Sequence, residues 1–170
     1  MNNRSSKRVR FVAHAALIAA LYVALTYVAF WFGLDKGAIQ LRFSEALCAL
    51  LCFTPAAVPG LAVGCVLANL LTGAHLLDVV FGSLATLLGA LGGYALRSFA
   101  KRKWLCFLPT LPTVLANAAV VPLLLIFVYG VGDAYPFLLF TVTAGELLSA
   151  TLLGTALILA LRKHAARIFK

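Results

Sequence analysis

The chain has 170 residues, of which 64% are hydrophobic and 11% charged, with a mean hydropathy of +1.04. A water-soluble domain of this length carries roughly twice that share of charge, so composition excludes one. The net charge of +9 would point to nucleic acid in a soluble protein, but here the charges flank apolar runs, where they orient a membrane protein, and no nucleic-acid partner is expected.

Leu, Ala, Val and Gly dominate the apolar runs without the alternation of β-barrel strands, which predicts helices able to cross about 30 Å of hydrocarbon, roughly 20 residues each. Arg4, Lys7, Arg8 and Arg10 precede the first run, 11–33. A basic start resembles a secretory signal, but this run is too long for a signal core and leads to no cleavage site, so a retained first helix is expected. Leu34 to Ser44 reads as an outer loop. The next 32 residues, Ala46 to Leu77, carry no Asp, Glu, Lys or Arg, yet one helix of that length would measure about 48 Å at about 1.5 Å per residue. Thr54, Pro55, Pro59 and Gly60 supply the break, giving two short helices over 45–57 and 58–73.

A second outer loop, Gly73 to Asp78, leads to a fourth helix over 79–97, closed by Arg97, Lys101, Arg102 and Lys103. The fifth helix, 105–130, contains Pro109, Pro112 and Pro122; a turn at Gly130–Asp133 precedes the sixth, 136–161, and Arg162, Lys163, Arg167 and Lys170 end the chain. These three clusters hold twelve of the 14 Lys and Arg residues. Placing all three in the cytoplasm requires an even number of crossings between each pair, which six helices satisfy. The expected architecture is therefore an all-α integral membrane protein, a single domain over 1–170 forming a compact bundle of six transmembrane helices with both termini cytoplasmic. The five acids, Asp35, Glu45, Asp78, Asp133 and Glu146, then lie within the membrane or on its outer side.

Ionisable and amide groups inside such a bundle are functional candidates, because a charge at a helix centre costs roughly 2.5–3.5 kcal/mol on insertion scales. Glu146 is the clearest, with Thr143 and Ser149 near it on one helical face; a structural pairing with Arg42, or a protonated acid bonded to a neighbour, is the alternative. Arg42 and Glu45 open the second helix, with Ser44 as its N-cap, either as an interfacial ion pair or as part of a binding cavity between Pro/Gly-interrupted segments. Asn69 and Asn117 serve helix packing or ligand contact, and Asp78 serves ligand contact or caps the fourth helix. His75 is expected to be solvated in its loop. Neither His14 and His164 nor the four cysteines, all in apolar stretches, suggest a metal site or a disulfide.

Small residues recur every four positions at Ala16, Ala20 and Ala24, with Ala15 and Ala19 beside them; at Gly60, Gly64 and Ala68; and at Ala85, Gly89 and Gly93. Such stripes let helices approach closely in lipid, within this bundle or, for the first helix, against a second protein. The chain has no phosphate-binding G-x-x-x-x-G-K-[ST] loop and no H-E-x-x-H or G-x-S-x-G arrangement, so neither its own ATPase nor enzymatic activity is expected.

The stretch from Gln40 to Leu91, with its R-x-S-E-A-L, F-T-P-A-A-x-P-G, A-N-L-L and L-L-D-V-x-F-G-S-L-A-T segments, resembles the queuosine-precursor transporter family. The later stretches LPTVLANAAVVPL and TAGELLSATLLG also fit. The resemblance implies a substrate-binding S component of an energy-coupling factor importer in the cell membrane. Its partners would be a transmembrane coupling subunit, docked through Ala15, Ala16, Ala19 and Ala20, and two cytosolic ATPases. The implied substrate is queuine or a 7-deazaguanine precursor, carried inward as the protein topples in the bilayer. Arg42, Glu45, Asn69, Asp78, Asn117 and Glu146 would supply the polar contacts, with no cofactor. An S component for another small vitamin or nucleobase differs only in ligand; a membrane enzyme using Glu146 and Asp78 as acid and base would need no ATPase partner.

Overall fold

The computed structural model describes residues 3–34 and 41–168; most of the expected first outer loop, including Asp35, and the terminal Lys170 fall outside them. The described residues are helical and contain no strand. Helix α1 (Asn3–Trp31) takes Lys7, Arg8 and Arg10 into its opening turns, because no proline or glycine stands there to stop it. It ends before Gly33, whose φ of 67° reverses the chain. A 3-10 helix (Phe43–Cys52) follows, then α2 (Ala57–Leu71) and α3 (Leu76–Ala95).

Short 3-10 turns after α3 run through the basic cluster to α4 (Leu111–Phe127). The sequence predicts a helix from residue 105, but α-helical winding starts only at Leu111, since Pro109 and Pro112 lack amide donors and crowd the carbonyls before them. Helix α5 (Tyr135–Glu146), a π-helical segment (Leu147–Leu153) and α6 (Gly154–Leu161) make one continuous rod, followed by the single turn α7 (Ala165–Ile168). Four runs, Ser5–Trp31, Leu76–Lys101, Lys103–Phe127 and Tyr135–Leu161, are long and apolar enough to cross a membrane, and Phe43–Cys52 and Ala57–Leu71 are shorter apolar helices. Together they give the six expected helices of a membrane-embedded protein. Large apolar side chains such as Leu88 and Phe140 project outward, as lipid-facing surfaces require.

The break between the two short helices falls where Pro55 interrupts donation and the Thr54 hydroxyl accepts from the Ala56 amide at 3.2 Å. Pro59 is tolerated in the first turn of α2, where the amides have no intrahelical acceptor. Helices α1 and α2 run parallel and touch through glycine: a Cβ on Gly60 would lie 2.9 Å from the Ala15 carbonyl oxygen, and one on Gly64 2.7 Å from Tyr22 Cβ. Antiparallel α3 and α4 meet the same way, Gly89 against Thr113 and Gly93 against the Pro109 carbonyl. The glycine stripes of α2 and α3 thus serve packing inside the bundle.

Chain direction sets two distinct ends. The start of α1, the Arg97–Lys103 cluster and the end of α6 lie together, marked by a hydrogen bond from Arg162 Nη2 to the Lys101 carbonyl. At the opposite end, α1 and α2 are joined by Tyr27, whose hydroxyl donates to the Leu71 carbonyl at 3.2 Å. Gly93→Ala would place a methyl 2.6 Å from the Pro109 carbonyl oxygen; it is expected to destabilise the protein by about 1–3 kcal/mol. Gly132→Ala, with nothing within 4 Å, should leave the thermal midpoint near that of the wild type, and equal midpoints for the two variants would contradict the close-packing account.

Candidate functional site

The 3-10 helix aligns residues three apart, so Arg42, Glu45 and Cys48 stack along one side. Arg42 occupies the extended N-cap position, with φ −107° and ψ 94°. Ser44, expected to be that cap, sits one step inside the helix and accepts a 2.9 Å hydrogen bond from Thr26 Oγ1, tying the segment to α1. Arg42 then lines a cavity of about 600 Å³ at the end away from the basic clusters, together with Asn69, Asp78 and Tyr129.

Asp78 belongs to the first turn of α3, but the N-cap is His75, whose Nδ1 accepts from the Leu77 amide at 3.3 Å. His75 is exposed, as expected of a solvated loop residue, and in addition holds the helix start. The Tyr129 hydroxyl donates to Asp78 Oδ2 at 2.8 Å and accepts from the His75 amide at 3.3 Å. Partial burial and the bond to Asp78 both push the Tyr129 pKa above its ordinary value, keeping it a donor at neutral pH. Sequence reasoning missed Tyr129, a lone aromatic in a loop with no motif around it. The other carboxylate oxygen, Asp78 Oδ1, faces the Asn69 amide across Gly82, where a Cβ would sit 3.0 Å from Asp78 Oδ1 and 3.5 Å from Asn69 Nδ2.

Deeper in the bundle lies a second polar group. The Tyr22 hydroxyl donates to Glu45 Oε1 at 2.5 Å, and Asn117 Nδ2 donates to Glu146 Oε1 at 3.0 Å. Glu45, Asn117 and Glu146 are 2%, 2% and 6% exposed. The partner of Glu146 is thus an amide from α4. Neither Glu146 Oε2 nor the neighbouring Ser149 hydroxyl has a hydrogen-bond partner among the described residues. Thr143 turns back to the Leu139 carbonyl instead of joining them. Asn69 bonds Cys65 Sγ at 3.6 Å and Thr86 reaches the same sulfur at 3.4 Å, so a thread of polar atoms leads inward from the cavity wall.

Arg42 is the cation of this arrangement. Burial works against its charge, but Asp78 above all, with a smaller contribution from Glu45, outweighs that cost and holds its pKa above the ordinary value. The six candidate residues therefore fall into two tiers: Arg42, Asn69 and Asp78 at the cavity, and Glu45, Asn117 and Glu146 behind it. The alanines of α1 also divide. Ala19 is buried and Ala15 half-buried against α2, whereas Ala16 and Ala20 face outward, in line with exposed Ala24. Among the described residues no group of three His, Cys, Asp or Glu could hold a metal, and Cys48, Cys52, Cys65 and Cys106 are free thiols.

Residues 12–163 match the profile of a family described as QueT transporter. The chain belongs to the QueT transporter family. No match was found among curated proteins or among solved structures. In this QueT transporter the buried carboxylates depend on few donors. Asn117→Leu removes the donor to Glu146 and is expected to cost about 1–3 kcal/mol in a thermal or denaturant melt of the detergent-solubilised protein. Asn117→Leu/Glu146→Leu should recover part of that loss by removing the stranded carboxylate; a double variant no more stable than the single would rule out this pairing as the cause.

Proposed function

We propose that this QueT family member is the substrate-binding S component of an energy-coupling factor importer. It captures queuine or another 7-deazaguanine precursor of queuosine outside the cell and releases it inward. A separate coupling subunit with two cytosolic ATPases supplies the energy, which accords with the absence of a phosphate-binding loop in the sequence. Under the positive-inside rule the basic end and both termini are cytoplasmic, in the plasma membrane, and the cavity opens outward.

The convergence of Arg42, Asn69 and Asp78 on one cavity carries this reading. A volume of about 600 Å³ is in the range of small-molecule sites and suits a flat bicyclic base. The guanine-like edge presents adjacent N–H donors, which a carboxylate accepts in pairs, and a carbonyl, which a guanidinium or amide satisfies. Asp78 supplies the carboxylate and Arg42 and Asn69 the donors. An aminomethyl substituent would bring a cation, for which Asp78 and the acids behind it provide the counter-charge. Glu45, Asn117 and Glu146 stand behind this layer as a buried polar group, Glu45 accepting from Tyr22 and Glu146 from Asn117. Ala16 and Ala20, facing outward with Ala24, form the docking face for the coupling subunit, with Ala15 and Ala19 setting α1 tightly on α2 beneath it.

Calorimetric titration of the purified protein with queuine and its aminomethyl and cyano precursors, against riboflavin, folate and biotin, tests the substrate. Selective binding of one deazapurine is expected, weakened about tenfold or more by Arg42→Ala or Asp78→Asn, since a charge-assisted hydrogen bond is worth roughly 1.5–3 kcal/mol. Glu45→Gln and Glu146→Gln should weaken it less, and unchanged affinity in all four variants would remove the site. Ala16→Trp/Ala20→Trp is expected to abolish copurification with the coupling subunit while leaving ligand affinity intact. Intact copurification would move the docking surface elsewhere.

A further inference from the structure

We propose that the pocket at the basic end of the bundle binds the phosphate-bearing headgroup of an acidic phospholipid. This pocket, about 440 Å³, lies between the turns that follow α3 and the end of α6 and is rimmed by Arg97, Lys101 and Arg162. Among the described residues no acidic side chain lines it, and Ser98 adds a hydroxyl. The cations come from two chain segments 61 residues apart that meet where Arg162 Nη2 donates to the Lys101 carbonyl, so the site is made by folding and not by a run of basic sequence.

Two of the three cations are held in place. Arg97 donates from Nη1 to the Tyr94 carbonyl at 2.8 Å and stacks with its guanidinium carbon 3.9 Å from the centre of the Tyr94 ring. Each guanidinium keeps donors beyond the bond described, and phosphate oxygens match their fork geometry. Cys52, Phe53, Ala95 and Ala100 form the rest of the wall. A cationic rim over an apolar floor fits a headgroup with its glycerol and first methylenes. Inorganic phosphate shares the charge but has nothing to place on that floor. Trp104, 91% exposed beside the basic cluster, is the kind of side chain that settles at headgroup depth, and basic pockets between helices at the cytoplasmic surface bind anionic headgroups.

The full chain in uncharged detergent is titrated with short-chain phosphatidylglycerol, with phosphatidylcholine and with inorganic phosphate, reading the thermal midpoint and lipid retention by native mass spectrometry. Phosphatidylglycerol alone is expected to raise the midpoint and remain bound. Arg97→Gln/Lys101→Gln/Arg162→Gln should weaken it by roughly fivefold per cation removed. Because Arg162→Gln also breaks the link to Lys101, Arg97→Gln/Lys101→Gln is measured beside it and should show the same selective loss. Arg8→Gln/Arg102→Gln/Lys163→Gln removes equal charge outside the pocket and should leave binding near the wild-type value. An equal loss in this control would reduce the effect to diffuse charge and overturn the pocket; equal stabilisation by inorganic phosphate would overturn the lipid as its ligand.

Discussion

A carboxylate enclosed by hydrocarbon must find its hydrogen-bond donors inside the protein, because no solvent reaches it and the cost of leaving it unpaired is several times thermal energy. Glu45 and Glu146 impose that demand from two segments about a hundred positions apart in the chain, and the answers come from two others, Tyr22 of α1 and Asn117 of α4. Four elements are thus tied at one depth. The glycine contacts act beside these bonds: Gly64 against Tyr22 seats α2 on α1, and Gly89 against Thr113 seats α3 on α4, α1 and α4 being the two helices that carry the donors.

The helix count was legible in the chain because it rests on charge clusters and run lengths, which survive any detail of packing. The break at Thr54–Gly60 was legible for a similar reason: proline acts locally. Glu146 also declared itself as a residue needing a partner. The identity of that partner did not, because Asn117 is 29 positions away and only the antiparallel pairing of α4 and α5 unites them. His75 and Tyr129 were opaque for a related reason: each acts through a contact made in the folded loops, with no spacing or periodicity to betray it. Winding was hidden as well. Nothing in FSEALCALLC forbids an ordinary α-helix, yet the segment winds as a 3-10 helix with most of its residues buried.

The alanines of α1 show how far a stripe can be read. Period-four spacing correctly marks close approach, but a helix has two flanks, and adjacent residues such as Ala15 and Ala16 serve different ones. One flank seats α2, and the other is left facing outward. The bundle is similarly two-sided from end to end. Acid and amide groups with a single guanidinium gather around the cavity at one extremity, while the other concentrates lysine and arginine with no carboxylate in its pocket. The two ends of the bundle therefore offer ligands opposite chemistry.

The 3-10 winding of Phe43–Cys52 also acts as a ruler. Its 10 residues, at about 2.0 Å each, reach about 20 Å, where an α-helix would cover about 15 Å. Arg42, just before one tip, lines the larger cavity, and Cys52 at the other tip lines the basic pocket. Rewound as an α-helix, the same residues would fall short by roughly 5 Å, more than the length of a hydrogen bond. One stretched segment thereby reaches from one pocket to the other with a chain too short to do so in the commoner winding.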